Sequence, residues 1–115
     1  VIYIDKKYKS LFQNLKNIKT KDYSKTSIEE LENDILASEK ILVNDSGPMH
    51  LVHKLGKRSV SVWGSTTPNT WSPKTSIPVY EEIACRPCKY NCIYDSFKCL
   101  DSIENEKIIE QILKA

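Results

Sequence analysis

The sequence predicts an α/β fold: a Rossmann-like parallel sheet with helices on both faces. Three observations carry that expectation. Short apolar runs alternate along the chain with stretches of helical periodicity. One run, Ile41-Leu42-Val43, leads through a glycine turn into the helical pattern Pro48, Leu51, Val52 and Leu55. The length of 115 residues suffices for one compact domain with a modest core.

The elements follow in order. Val1–Ile4 reads as a short buried strand, and Tyr8, Leu11, Phe12 and Leu15 have helical spacing. Ile18 marks a second short strand. Thr26 or Ser27, followed by Glu29 or Glu30, offers a capping box for an amphipathic helix through Ile28, Leu31, Ile35 and Leu36. Lys40–Val43 is the next strand, and Pro48–Leu55 a helix that Gly56 can end. Val60, Val62 and Trp63 mark another strand. Gly64 to Pro78, rich in Ser, Thr and Pro, is expected to be a long loop. Ile103, Ile108, Ile109 and Ile112 suggest a last amphipathic helix.

Bulk composition excludes several classes. The net charge is only +2, and the 17 basic residues are dispersed without interleaved aromatics, so no nucleic-acid surface is expected. No apolar run approaches the ~20 residues of a membrane span, and no signal peptide is visible. The chain opens on Val1-Ile2-Tyr3-Ile4 without an initiator methionine, which suggests a piece of a longer protein.

The chemistry concentrates in Asn44-Asp45-Ser46-Gly47-Pro48-Met49-His50. The first turn of a helix leaves backbone N–H groups unpaired at the positive end of the helix dipole, a natural seat for phosphate. Ser46 and Gly47 would offer such N–H groups, and Gly47 lets a ligand come close. Pro48 fits the first turn, where its missing N–H costs nothing. His50, opposite Leu51 and Leu55, can donate to a phosphate oxygen; His53 reads as surface packing. Asp45 stands at the C-terminal end of a parallel strand, where open α/β sheets bind ligands. Its carboxylate would repel phosphate, so it suits sugar hydroxyls or the turn's own N–H groups.

Asp45-Ser46-Gly47-Pro48-Met49-His50-Leu51, Leu55-Gly56-Lys57, and Val60 to Pro68 through Trp63-Gly64 together resemble the C-terminal domain of glycosyltransferase family 9, over about residues 17 to 114. The ADP-heptose:lipopolysaccharide heptosyltransferases are its best-known members. The resemblance implies that residues 1–115 are a partial C-terminal, nucleotide-sugar-binding domain of a two-domain GT-B enzyme. It implies a nucleoside diphosphate sugar donor of the ADP-heptose kind, a lipopolysaccharide or other glycan acceptor, no required metal cofactor, and a general base in an N-terminal domain that this chain does not contain. No catalytic residue is therefore assigned here. The implied location is cytoplasmic, or peripheral on the inner face of the cytoplasmic membrane. In family register Thr26 and Ser27 line the adenosine side of the donor pocket, besides capping a helix. Gly64, Ser65 and Thr66 follow a strand end and border the sugar. Trp71 is either a loop anchor or a cleft wall. Where members often carry an acidic residue, this chain has Thr67.

Cys85, Cys88, Cys92 and Cys99 form a compact set that also resembles a segment of many members. Four thiols could close a tetrahedral zinc site, form two disulfides, or stay reduced. A structural role without metal is the preferred expectation. The segment lies some twenty residues beyond Gly64, so its chemistry need not touch the donor.

Overall fold

A computed structural model describes residues 2–4, 10, 14, 16–66, 68–83 and 98–115. They fall into two compact units, Val1–Ala37 and Ser38–Ala115.

In the first unit, β1 (Ile2–Ile4) pairs in parallel with β2 (Thr20–Asp22), Ile2 opposite Thr20. β1 falls where the apolar run predicts it, but Ile2 and Tyr3 are half-buried, since one two-stranded sheet cannot enclose them. The strand expected at Ile18 lies two residues later, and Ile18 is 42% exposed. Asn17, at φ 63°, bends the chain into β2, a conformation asparagine tolerates better than most residues. Asp22 then caps a 3-10 turn, Tyr23–Lys25, by accepting from the Ser24 amide at 3.0 Å. α1 (Ile28–Ala37) starts as expected: Ser27 Oγ accepts from the Glu30 amide at 3.1 Å. Glu30 itself pairs with Lys21 at 2.7 Å. Ile35 is buried, whereas Ile28 and Leu36 are exposed. The helical pattern expected from Tyr8 to Leu15 lies outside the described residues.

The second unit holds a three-stranded parallel sheet in the order β3 (Leu42–Asn44), β4 (Ser59–Val62), β5 (Ser76–Val79). Parallel neighbours need a crossover, and α2 (Gly47–Lys54) supplies it between β3 and β4. Met49 and Val52 are its buried residues, while His50, His53 and Lys54 face outward. Its end is a Schellman motif: Gly56, at φ 74°, donates to His53 O, and Lys57 donates to Val52 O.

Both faces of β4 are covered. Val60 and Val62 share one face with Ile77 and Val79, packed against Ile103 and against Ile108, Ile112 and Ala115 of α5 (Asn105–Lys114) and its end. The other face is polar yet dry. Ser61 Oγ accepts from Trp63 Nε1 at 2.8 Å and from Ser76 Oγ at 2.6 Å. Ser59 Oγ donates to Ser76 at 3.3 Å. All four residues are buried, which closed hydrogen bonding makes tolerable.

Three expectations for this unit need correction. The long loop from Gly64 to Pro78 contains a short helix, α3 (Pro68–Trp71), and β5. Pro78 disguised that strand. It is accommodated because β5 is paired on one side only among the described residues, so the missing N–H breaks no second ladder. The strand placed at Lys40–Val43 runs instead from Leu42 to Asn44. Ile103 precedes α5 rather than joining it, and Ile109 is 54% exposed, so the helix buries a narrower stripe than its isoleucines suggest. Ahead of α5 lies a further short helix, α4 (Lys98–Asp101).

Candidate functional site

The site is built on the C-terminal ends of β3 and β4. These strands are neighbours, with Asn44 opposite Val62. The ladder runs one bond further, from the Asp45 amide to Val62 O at 3.2 Å. Asp45 therefore leaves the sheet held at its backbone. Across from it β4 ends at Val62; the next residue, Trp63, donates its amide to Val79 O, and the chain turns through Gly64, Ser65 and Thr66. The Thr66 hydroxyl donates to Asp45 Oδ2. Two segments predicted separately thus meet on one sheet edge, and one side chain fixes the other.

Between them lies a cavity of about 240 Å³. Its polar side is Asn44, Asp45, Ser65 and Thr66; Gly64 floors it; Val62 and Leu100 form its apolar side. Among the described residues this lining carries one carboxylate and no cation. Such a surface receives hydroxyl groups and disfavours phosphate.

The start of α2 is the complementary feature. Ser46 is its N-cap in extended conformation, yet its side chain makes no capping bond; its hydroxyl donates back to Asn44 O at 3.3 Å. Pro48 has no N–H, and the Met49 amide donates to Ser46 O at 3.1 Å. The backbone donors in play are those of Ser46 and Gly47, and both residues are exposed. A Cβ added at Gly47 would meet nothing within 4 Å. His50 follows in the same turn, also exposed. Ser46, Gly47 and His50 are not part of the cavity lining around Asp45, so the motif presents two adjoining surfaces: a donor-rich helix start and a carboxylate-bearing cleft.

The other sequence candidates divide as follows. Thr26 and Ser27 belong to the first unit, where both hydroxyls have local partners: Thr26 donates to Asp22 O, and Ser27 caps α1. His53 packs at the surface as expected, its Nδ1 2.8 Å from Thr75 Oγ1. Trp71 is 61% exposed, so burial does not anchor it. Thr67, Cys85, Cys88 and Cys92 lie outside the described residues. Cys99 is a buried free thiol. Among the described residues no group of three His, Cys, Asp or Glu side chains could hold a metal ion.

The end of the cysteine segment folds back beside Gly64. A Cβ built on Gly64 would lie 3.1 Å from Leu100 Cγ and 3.4 Å from Cys99 Sγ. Sequence reasoning also missed Asn44 and Val62 as lining residues. The signal for both was their position at the ends of adjacent parallel strands. Nothing local to Leu100 announced its place.

Comparison with known proteins identifies the family. The sequence model of glycosyltransferase family 9 (heptosyltransferase) matches residues 6–97. It thus begins earlier than the motifs alone suggested and ends before Cys99. The chain is 33% identical over 111 residues to lipooligosaccharide heptosyltransferase 2 of Campylobacter jejuni subsp. jejuni serotype O:6, covering 90% of the chain and 35% of that protein. It is 34% identical over 108 residues to the serotype O:2 protein of the same name, covering 88% and 34%. The chain therefore spans about a third of the length of these relatives. No solved structure matches it significantly. Among the described residues no helix is long and apolar enough to cross a membrane. The chain belongs to glycosyltransferase family 9, the heptosyltransferase family.

Proposed function

We propose that this chain is the donor-binding portion of a glycosyltransferase that moves a heptose-like sugar from a nucleoside diphosphate to a hydroxyl of a lipopolysaccharide-type acceptor. One observation carries the reading: a helix start with exposed N–H groups adjoins a carboxylate-bearing cleft at the ends of two adjacent parallel strands. A nucleoside diphosphate sugar has the matching halves, an anionic diphosphate beside a polyhydroxyl ring.

Each residue then has a task. The Ser46 and Gly47 amides and the His50 ring hold diphosphate oxygens. Asp45, steadied by Thr66, accepts from sugar hydroxyls. In transfer, the acceptor oxygen bonds to the anomeric carbon as the bond from that carbon to phosphate breaks. The acceptor proton passes to a base outside this chain. Negative charge grows on the departing diphosphate, and fixed amide dipoles at α2 stabilise it without reorganisation. This scheme asks no metal of the chain and puts the reaction on the cytoplasmic side, where nucleotide sugars are made.

The test uses the longest natural polypeptide that carries this chain, with ADP-heptose as donor. Asp45→Asn and His50→Ala are each expected to lower kcat/KM at least tenfold, since a lost charge-assisted hydrogen bond is worth about 1.5–3 kcal/mol. Wild-type kinetics in both variants would remove these residues from the site. Donor binding without any transfer would support instead a non-catalytic nucleotide-binding module.

A further inference from the structure

The cavity beside Asp45 has an apolar side that the motif does not explain. Leu100 forms it together with Val62. Leu100 comes from α4, beyond residues 6–97, so the family match does not account for it. Its position is nonetheless fixed. Its carbonyl accepts from the Ile103 amide at 3.1 Å, and Ile103 is buried in the core cluster with Val60 and Val79. On the other side it presses on Gly64, where an added Cβ would sit 3.1 Å from its Cγ and 3.2 Å from its Cδ2. A side chain at Gly64 would require Leu100 to give way by a few tenths of an ångström. Yet Leu100 remains 45% exposed, so its free surface faces outward rather than into the core.

The cavity's size narrows what that surface could meet. At about 240 Å³ it lies below the ~300–1,000 Å³ typical of pockets that enclose a whole drug-sized ligand. That is the scale of a single ring rather than of a complete nucleotide sugar. A sugar ring has hydroxyls around its rim and a face of C–H bonds. Asn44, Asp45, Ser65 and Thr66 match the rim, and a leucine matches the face.

We propose that Leu100 is a specificity-determining wall of the sugar subsite, packing on the C–H face of the transferred ring while Asp45 takes its hydroxyls. The proposal rests on the donor-site reading above and deepens it. It predicts that Leu100 senses the sugar and not the nucleotide.

The experiment compares ADP-heptose with ADP on the longest natural polypeptide carrying the chain. Leu100→Ala is expected to raise the donor KM about fivefold or more, as loss of apolar contact in a pocket does, and to leave the inhibition constant of ADP unchanged. Leu100→Phe, which fills the cavity, is expected to weaken the donor further, again without touching ADP. Leu100→Met, of similar volume, is expected to keep wild-type values and a wild-type melting temperature, which separates loss of the wall from loss of the fold. Equal shifts for donor and ADP in Leu100→Ala or Leu100→Phe would overturn the proposal, as would no shift in either. A wild-type protein that binds neither ADP nor ADP-heptose would overturn the donor-site reading, and this inference with it, before any variant is compared.

Discussion

Replacing Gly47 with alanine separates a glycine kept for a ligand from one kept for the fold. The structure gives no folding reason for glycine at this position. Its φ is not in the left-handed region, and a Cβ there meets nothing within 4 Å. Alanine is the better helix former by about 0.8–1.0 kcal/mol in a helix interior. At the first position of α2 the gain should be smaller. The melting temperature of Gly47→Ala should therefore stay level or rise, by at most about 4–8 °C if the whole propensity gain were realised.

Ligand binding should move the other way. Cα–Cβ bonds in a helix lean toward its N-terminus. The new methyl would thus project toward the space where a phosphate would approach the Ser46 and Gly47 amides. Displacing one charge-assisted hydrogen bond costs about 1.5–3 kcal/mol, or roughly ten- to hundredfold in Kd. Calorimetric titration with ADP, paired with a thermal melt, reads both quantities on one preparation. A stable variant that binds ADP with wild-type affinity would refute the assignment of phosphate to this turn. A variant that melts early would refute the structural half of the reasoning.

Two further outcomes concern stability. Ser61→Ala removes the acceptor of a fully buried indole N–H, which should cost about 1–3 kcal/mol, or roughly 5–15 °C in melting temperature; in a double-mutant cycle with Trp63→Phe the losses should be non-additive, and a Ser61→Ala protein melting like wild type would refute the network. In the first unit, the Tyr3 hydroxyl and Lys21 at 2.6 Å both bond Asp34 Oδ2. Bonds from Lys21 and then Tyr3 hold Asp34 below its usual 3.8, so that support is present above the carboxylate range and lost as pH falls through the lowered value. Burial, then the bond to Asp34, pushes the Tyr3 phenol from 10.0 up to about 12, so its support is complete below pH 10.0 and lost as pH rises through about 12. Urea midpoints should fall at both extremes, and Tyr3→Phe should flatten the alkaline decline; an unchanged alkaline limb would exclude Tyr3 as its source.

The parts of this fold that the sequence revealed are those specified locally. Ser27 and Glu30 marked the start of α1, and Gly56 the end of α2, because caps satisfy backbone groups within a turn. The β3–α2–β4 unit was legible because apolar strands bracket a helix with a proline in its first turn. β5 escaped notice because its two buried residues are Ser76 and Val79, with Pro78 between them. Its identity is tertiary. Ser76 is tolerated there because Ser59 and Ser61 on the neighbouring strand complete its hydrogen bonds. A serine that is core only because its neighbour is another serine carries no periodic signal of its own.

The candidate site divides the same way, and the division bears on its chemistry. Asp45, Ser46, Gly47 and His50 could be singled out because strand, turn and helix are contiguous in sequence. Thr66 and Leu100 reach Asp45 and Gly64 only through folding. Yet these two distant residues shape the lining of the cleft. With Thr66 donating to one carboxylate oxygen, Asp45 is held in place and keeps its other oxygen for an incoming hydroxyl. With Leu100 against Gly64, the lining gains an apolar side chain. A pocket lined by a fixed carboxylate and a leucine would, if it takes a sugar as proposed, discriminate by hydroxyl placement and ring face. The motif before α2, by contrast, offers amides that any diphosphate could use. On the donor-site reading proposed above, selectivity for the sugar would rest on Asp45 together with the residues that folding recruits, and general affinity for the diphosphate on the amides before α2.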